Sequence, residues 1–117
     1  MKLFDAELKV MEVLWKEGDT TAKRIAEILG KQFNWGKTTT YTMIKRCIEK
    51  GAIERKEPNF ICHPLVTIEE ARNHETTELI NKMYNGAADQ LVASLLGSKI
   101  LSKEEIERLK QAVRQME

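Results

Sequence analysis

The sequence predicts a mainly α chain in two parts, and three observations carry that prediction. Three helical patterns of apolar residues fill the first fifty positions, and a glycine follows each: Gly18, Gly30 and Gly51. Two strand-like runs then flank the turn residues Glu57-Pro58-Asn59. From Thr67 onward the chain returns to helix, with apolar residues first sparse and then in excess. Short helices joined by a brief connector, with a small hairpin behind them, make a winged helix-turn-helix domain with a β-hairpin wing. We assign it to residues 1–66 and a second, helical domain to residues 67–117.

The first helix is expected from a cap at Asp5 to about Lys16. Leu8, Met11, Leu14 and Trp15 form its apolar side, flanked by Val10 and Val13, with Trp15 read as core and Gly18 just past the end. Thr20 or Thr21 caps a short second helix whose buried face is Ala22, Ile25, Ala26 and Leu29, and Gly30 closes it. Lys31 to Gly36 is the connector.

The stretch Trp35 to Gly51 organises the rest. Met43, Ile44, Cys47 and Ile48 recur at the three-to-four spacing that buries one side of a helix. The other side offers Thr38, Thr39, Tyr41 and Thr42 early, then Lys45, Arg46 and Lys50. Hydroxyl groups reach base edges and phosphates, and cations hold a phosphate backbone, so this pattern suits a helix lying in a DNA major groove. The same pattern also fits a solvated helix face. Ala52 to Lys56 and Phe60 to His63 are the two wing strands, and Pro64 ends the second. Arg55 and Lys56 lie near the tip, within reach of a phosphate or the minor groove.

Thr67-Ile68-Glu69-Glu70 has the form of a capping box and starts a long helix to about Tyr84. Its middle, Asn73 to Glu78, is polar all round, as in a connector. Asn85-Gly86 breaks it. Ala87 to Leu96 forms a short apolar helix, and Ser102-Lys103-Glu104-Glu105 is a second capping box opening the last helix. Leu79, Met83, Leu91, Val92, Leu95, Leu96, Ile106, Leu109, Val113 and Met116 are more apolar side chain than this short tail can bury alone. A second copy of the chain is the expected cover, making residues 67–117 a helical dimerisation domain; folding back on the first domain is the other arrangement.

Bulk composition narrows the function classes. Net charge is +1, but Lys31 to Lys56 holds seven basic and two acidic residues, a local +5 that suits a polyanion. Cys47 and Cys62 lack a second cysteine at ligand spacing, so no metal or cofactor is expected, the Cys62-His63 adjacency being the sole weak metal candidate. The start MKLFDAELKV has no signal-peptide pattern and no apolar run approaches membrane-spanning length, so no membrane insertion and a reducing, cytoplasmic setting are expected. No paired carboxylates, nucleophile–base set or phosphate-cradling glycine loop is present, so the chain is read as not an enzyme; His63, His74 and Ser94 are ordinary surface or packing residues.

Two sets of residues also resemble a known family. Ala6-Glu7-Leu8, Met11 and Leu14-Trp15 form one set; Thr39, Thr42, Arg46 and Lys50-Gly51 form the other. With the tail LSKEEIERLKQ they resemble the penicillinase-repressor family, which includes β-lactamase, methicillin-resistance and copper-responsive repressors of Gram-positive bacteria. The resemblance implies a homodimeric repressor that binds a double-stranded, inverted-repeat operator of a resistance or stress-response operon. In the β-lactam-responsive members it also implies a sensor protease that cuts the dimerisation region. Two departures stand out. No cysteine follows Cys62, which removes the thiolate copper switch of the copper-responsive members, and QLVASLLG lacks the asparagine–phenylalanine pair associated with cutting. Cys47 stands where the family usually has leucine.

The candidate DNA-binding set is therefore Lys37, Thr38, Thr39, Tyr41, Thr42, Lys45, Arg46, Arg55 and Lys56. Arg46 has a second reading, a structural ion pair with a glutamate of the first helix. The competing function is a winged-helix interaction module that docks an acidic protein partner.

Overall fold

A computed structural model describes all 117 residues. The chain forms two compact units, Met1–Glu75 and Thr76–Glu117. The helices are α1 (Asp5–Glu17), α2 (Ala22–Phe33), α3 (Lys37–Glu49), α4 (Ile68–Tyr84), α5 (Ala88–Gly97) and α6 (Lys103–Gln115). The strands are β1 (Thr20–Thr21), β2 (Ile53–Lys56) and β3 (Ile61–Pro64). The mainly α, winged helix-turn-helix class is thus the architecture observed.

In the first unit α1, α2 and α3 enclose one core. Val10, Met11 and Leu14 from α1, Ala22, Ile25 and Leu29 from α2, and Ile44 and Cys47 from α3 are shut off from solvent. The expected stripe of α1 is rotated: Val10 and Val13 are buried, whereas Leu8 and Trp15 are only partly covered and pack on the core's edge. Trp15 suits that place, because its indole N–H donates to the Val66 carbonyl at 3.0 Å. Asp5 does not cap α1. The cap is Phe4, whose backbone N–H donates to Glu7 Oε1 at 2.7 Å. Thr21 caps α2 by accepting the Arg24 N–H. Gly30 does not close that helix, which runs one turn further to a left-handed Asn34 with φ 57°. Asparagine tolerates that conformation nearly as well as glycine.

The hairpin pairs β2 with β3, Arg55 lying opposite Cys62 and Lys56 opposite Ile61. Reading α2's cap alone misses β1. Thr20 and Thr21 pair with Cys62 and Ile61, so β3 is the central strand of three. Gly51, at φ 80°, turns the chain out of α3 toward this sheet, a backbone conformation that side chains resist. Ala52 N–H then donates to the Cys47 carbonyl and Leu65 N–H to that of Ala52, which fastens both wing strands to the end of α3.

α4 begins with the expected capping box, Glu70 N–H donating to Thr67 Oγ1 at 3.0 Å and Thr67 N–H to Glu70 Oε1. It buries no residue. In the second unit, α6 opens on the Ser102–Glu105 box. Here Leu79, Met83, Val92, Leu96, Leu109, Val113 and Met116 are exposed, and Leu91, Leu95 and Ile106 are half-buried. Between α5 and α6, Val92, Leu96, Ile106, Leu109 and Val113 line an open apolar groove of about 540 Å³ rimmed by Lys110 and Arg114. No helix is long and apolar enough to cross a membrane.

Candidate nucleic-acid interface

Helical geometry assigns the two faces of α3. Thr40, Ile44 and Cys47 are buried, which fixes the inward stripe. One hundred degrees per residue then places Thr38, Thr42 and Glu49 directly opposite, with Lys45 and then Tyr41 toward one flank and Arg46 and then Thr39 toward the other, while Lys37, in the first turn, lies nearer the buried stripe. Lys37, Thr38, Thr39, Thr42, Lys45 and Arg46 are all exposed. Thr40, in the middle of the hydroxyl-rich run, belongs to the core instead. Its hydroxyl is directed at the Gly36 carbonyl, 3.5 Å away. The Thr42 hydroxyl donates to the Thr38 carbonyl at 2.8 Å, which leaves its oxygen facing outward as an acceptor.

Arg46 makes no ion pair. The glutamate of α1 is taken by another residue: Lys50 Nζ donates to Glu7 Oε1 at 2.5 Å and to the Lys2 carbonyl at 2.8 Å. Arg46 acts on Glu7 only at a distance, its charge helping that of Lys50 to lower the Glu7 pKa. It therefore remains on the exposed face with its donors available. Lys50, part of the basic stretch, is committed to holding α3 against α1.

Tyr41 is half-buried, its ring edge-on to Phe60 with centroids 5.9 Å apart. Phe60 also carries the wing's arginine, for the Arg55 guanidinium lies 3.6 Å above the ring. Arg55 Nε donates to Glu57 Oε1 at 2.5 Å. That bond, with the Phe60 N–H donated to the same carboxylate, holds Glu57 below the usual carboxylate range. Lys56 is exposed on β2. The predicted set thus falls into an α3 group and a wing group, with Tyr41, Phe60 and Arg55 in contact as the joint between them. Phe60 and Glu57 carry neither a cation nor a hydroxyl, so the residue pattern that points to the others does not point to them. An aromatic directly after a Pro-Asn turn, in reach of a strand arginine, is the signal that marks them.

The penicillinase repressor family model matches residues 3–115. The chain belongs to the penicillinase repressor family. The penicillinase repressor of Bacillus licheniformis is 31% identical over 112 residues, covering 94% of this chain and 88% of that protein. The methicillin resistance regulatory protein MecI of Mammaliicoccus sciuri is 32% identical over 111 residues, covering 93% and 90%. Two solved structures share the fold of the N-terminal part. One is the DNA-binding domain of the repressor BlaI, with TM-score 0.55, 31% identity, and coverage of 59% of this chain and 87% of that one. The other is monomeric B. licheniformis BlaI in complex with the blaP half-operator, with TM-score 0.52, 30% identity, and coverage of 60% and 88%.

Proposed function

We propose that this protein is a homodimeric transcriptional repressor that binds an inverted-repeat DNA operator. Residues 1–66 would be the DNA-binding domain and residues 67–117 the dimerisation domain. One observation carries the reading: the face of α3 away from its buried stripe holds the exposed Thr38, Thr39, Thr42, Lys45 and Arg46 with one acid, Glu49, in the last turn, Lys37 is exposed in the first turn, and the face adjoins a basic wing. That is the composition a major groove requires, with acceptors and donors for base edges between cations for phosphates. The BlaI half-operator complex supports it, since a relative with this fold is itself bound to DNA.

On this reading Thr38, Thr39, Tyr41 and Thr42 face base edges. Lys37, Lys45 and Arg46 hold phosphates or a guanine edge, and Arg55 and Lys56 act from the wing. The open groove between α5 and α6 takes the same helices of a second copy, and the dimer presents its two α3 helices to half-sites roughly 34–36 Å apart or a multiple of that. The relatives' names, a penicillinase repressor and a methicillin resistance regulatory protein, support a target in a resistance or stress-response operon.

The test is a titration of the full chain against genomic DNA fragments and a random-sequence duplex at two salt concentrations. Selection of an inverted repeat, with affinity falling by about 0.9 log units per log unit of salt for each phosphate held, sustains the reading. Equal, salt-independent binding to all fragments would remove it.

A further inference from the structure

The wing carries a negative charge where a DNA-reading hairpin has most use for a positive one. Glu57 sits in the turn between β2 and β3 and is largely exposed. One carboxylate oxygen accepts Arg55 Nε at 2.5 Å and the other accepts the Phe60 N–H at 3.3 Å. The guanidinium so held lies flat on the Phe60 ring, 3.6 Å from its centroid. The opposite dependency runs inward. The Phe60 ring meets the edge of Tyr41 on α3, and the Phe60 carbonyl accepts the Ala22 N–H at the start of α2. Arginine, ring and carboxylate therefore form one assembly fixed to the two helices of the helix-turn-helix.

Carboxylate and phosphate oxygens are interchangeable acceptors for a guanidinium. The Glu57 contact uses one of the five N–H donors of Arg55, and both partners are wet, so the pair is weak enough for DNA to compete with it. We propose that Glu57 is a specificity-setting residue of the wing, an internal stand-in for a DNA phosphate that holds Arg55 on Phe60. It withholds the arginine from duplexes that do not bring a phosphate into that position. The proposal rests on the DNA-binding reading above. Its consequence is a lower affinity for arbitrary DNA, obtained without weakening the operator complex in proportion. A held arginine also loses less side-chain freedom when the correct backbone arrives.

The experiment uses the full chain and fluorescence anisotropy over a salt series. The probes are a random-sequence duplex and the genomic site the wild-type protein selects. Glu57→Gln keeps a carbonyl for the Phe60 N–H and removes only the charge. It should tighten binding to the random duplex about twofold to fivefold, the scale of one exposed ion pair. The salt slope should steepen by about 0.9, one phosphate more. The selected site should gain less, so the specificity ratio falls. In an Arg55→Gln background the same Glu57→Gln change should do nothing, and in a Phe60→Leu background its gain should shrink.

An equal gain with Arg55 already removed would show Glu57 acting as a plain surface charge, and the proposal would be overturned while the DNA reading stood. No gain at all overturns it equally. Failure of the wild type and every variant to bind either probe at low salt overturns the DNA reading and the proposal together.

Discussion

Lys50, at the end of α3, is bound to Glu7, near the start of α1, through a contact that removes the carboxylate almost wholly from water. Glu7 is 1% exposed and Lys50 27%. The ammonium donates to Glu7 Oε1 at 2.5 Å and to the Lys2 carbonyl, and lies 4.3 Å from the centre of the Phe4 ring. Glu7 Oε1 also accepts the Phe4 N–H, while Oε2 is buried without a hydrogen-bond partner. One residue pair thus caps α1 and clamps α3 against it. Lys50→Met should leave a buried charge uncompensated and lower stability by about 2–4 kcal/mol, somewhat under the range for a pair with both members out of water. Urea denaturation measures it. A loss below about 0.5 kcal/mol would show that the contact does not hold α3.

The same pair sets an acid limit. Burial alone would raise the Glu7 pKa. The hydrogen bonds from Lys50 and from the Phe4 N–H, with the charges of Lys50 and Arg46, outweigh it and hold the pKa below its ordinary 4.5. A carboxyl whose pKa is depressed on folding binds protons more readily in the unfolded chain. Its stabilisation is therefore complete above about pH 4.5 and lost as pH falls through the lower folded value. Thermal melts should show wild type exceeding Glu7→Gln by a constant margin from about pH 7 to pH 5, narrowing only at more acid pH. A margin that closes between about pH 7 and pH 5.5 would contradict the depressed pKa.

Arg46→Ala separates binding from stability. Arg46 is exposed and unpaired, so its removal should leave unfolding within about 0.5 kcal/mol of wild type. Binding to the selected site should weaken by about 1–3 kcal/mol if the side chain reads a base, with relaxed preference at one position. Uniform weakening across sequences, with a salt slope shallower by about 0.9, would assign it to a phosphate instead.

Period and punctuation made the helices legible. The buried face of α2, the span of α4 and both capping boxes follow from residue spacing alone. What spacing does not carry is any feature decided by a partner far along the chain. Glu7 looks like one more surface acid until Lys50, 43 positions later, is brought to it. Thr20 and Thr21 are only a helix cap until β3 lies beside them. The rotation of α1 toward Val10 and Val13 has the same origin, since α2 and α3 choose which side is covered. For the same reason Lys50 reads in sequence as one more cation of α3's polar side, and Phe60 does not stand out, because its ring matters only where Tyr41 and Arg55 meet.

Both cysteines should be inert in the folded protein. Burial pushes the Cys47 thiol up to about 12, with the Glu7 charge adding to it, and burial pushes Cys62 up to about 11. Thiolate is the reactive form, so alkylation by iodoacetamide at about pH 8 should be negligible for native protein and rapid in denaturant. Fast labelling of Cys62 in native protein would mean that the sheet opens readily.

The exposed apolar face of the second unit supplies the sharpest test of the proposed dimer. Leu109 and Val113 lie one turn apart on α6 and line the groove with Val92 and Leu96 of α5. Nothing within this unit covers them, and a groove so apolar is costly to leave in water. Placing a carboxylate there would cost little in a monomer, where it is solvated, but would bury an unpaired charge in a two-fold interface, once from each copy. Val113→Asp should therefore leave helix content and the unfolding of the first unit unchanged while sedimentation velocity shows wild-type dimer giving way to monomer. DNA affinity should fall with it, because two half-sites would no longer be bound by one particle, whereas preference for a single half-site should persist. A Val113→Asp protein that sediments like wild type would move the interface off this groove.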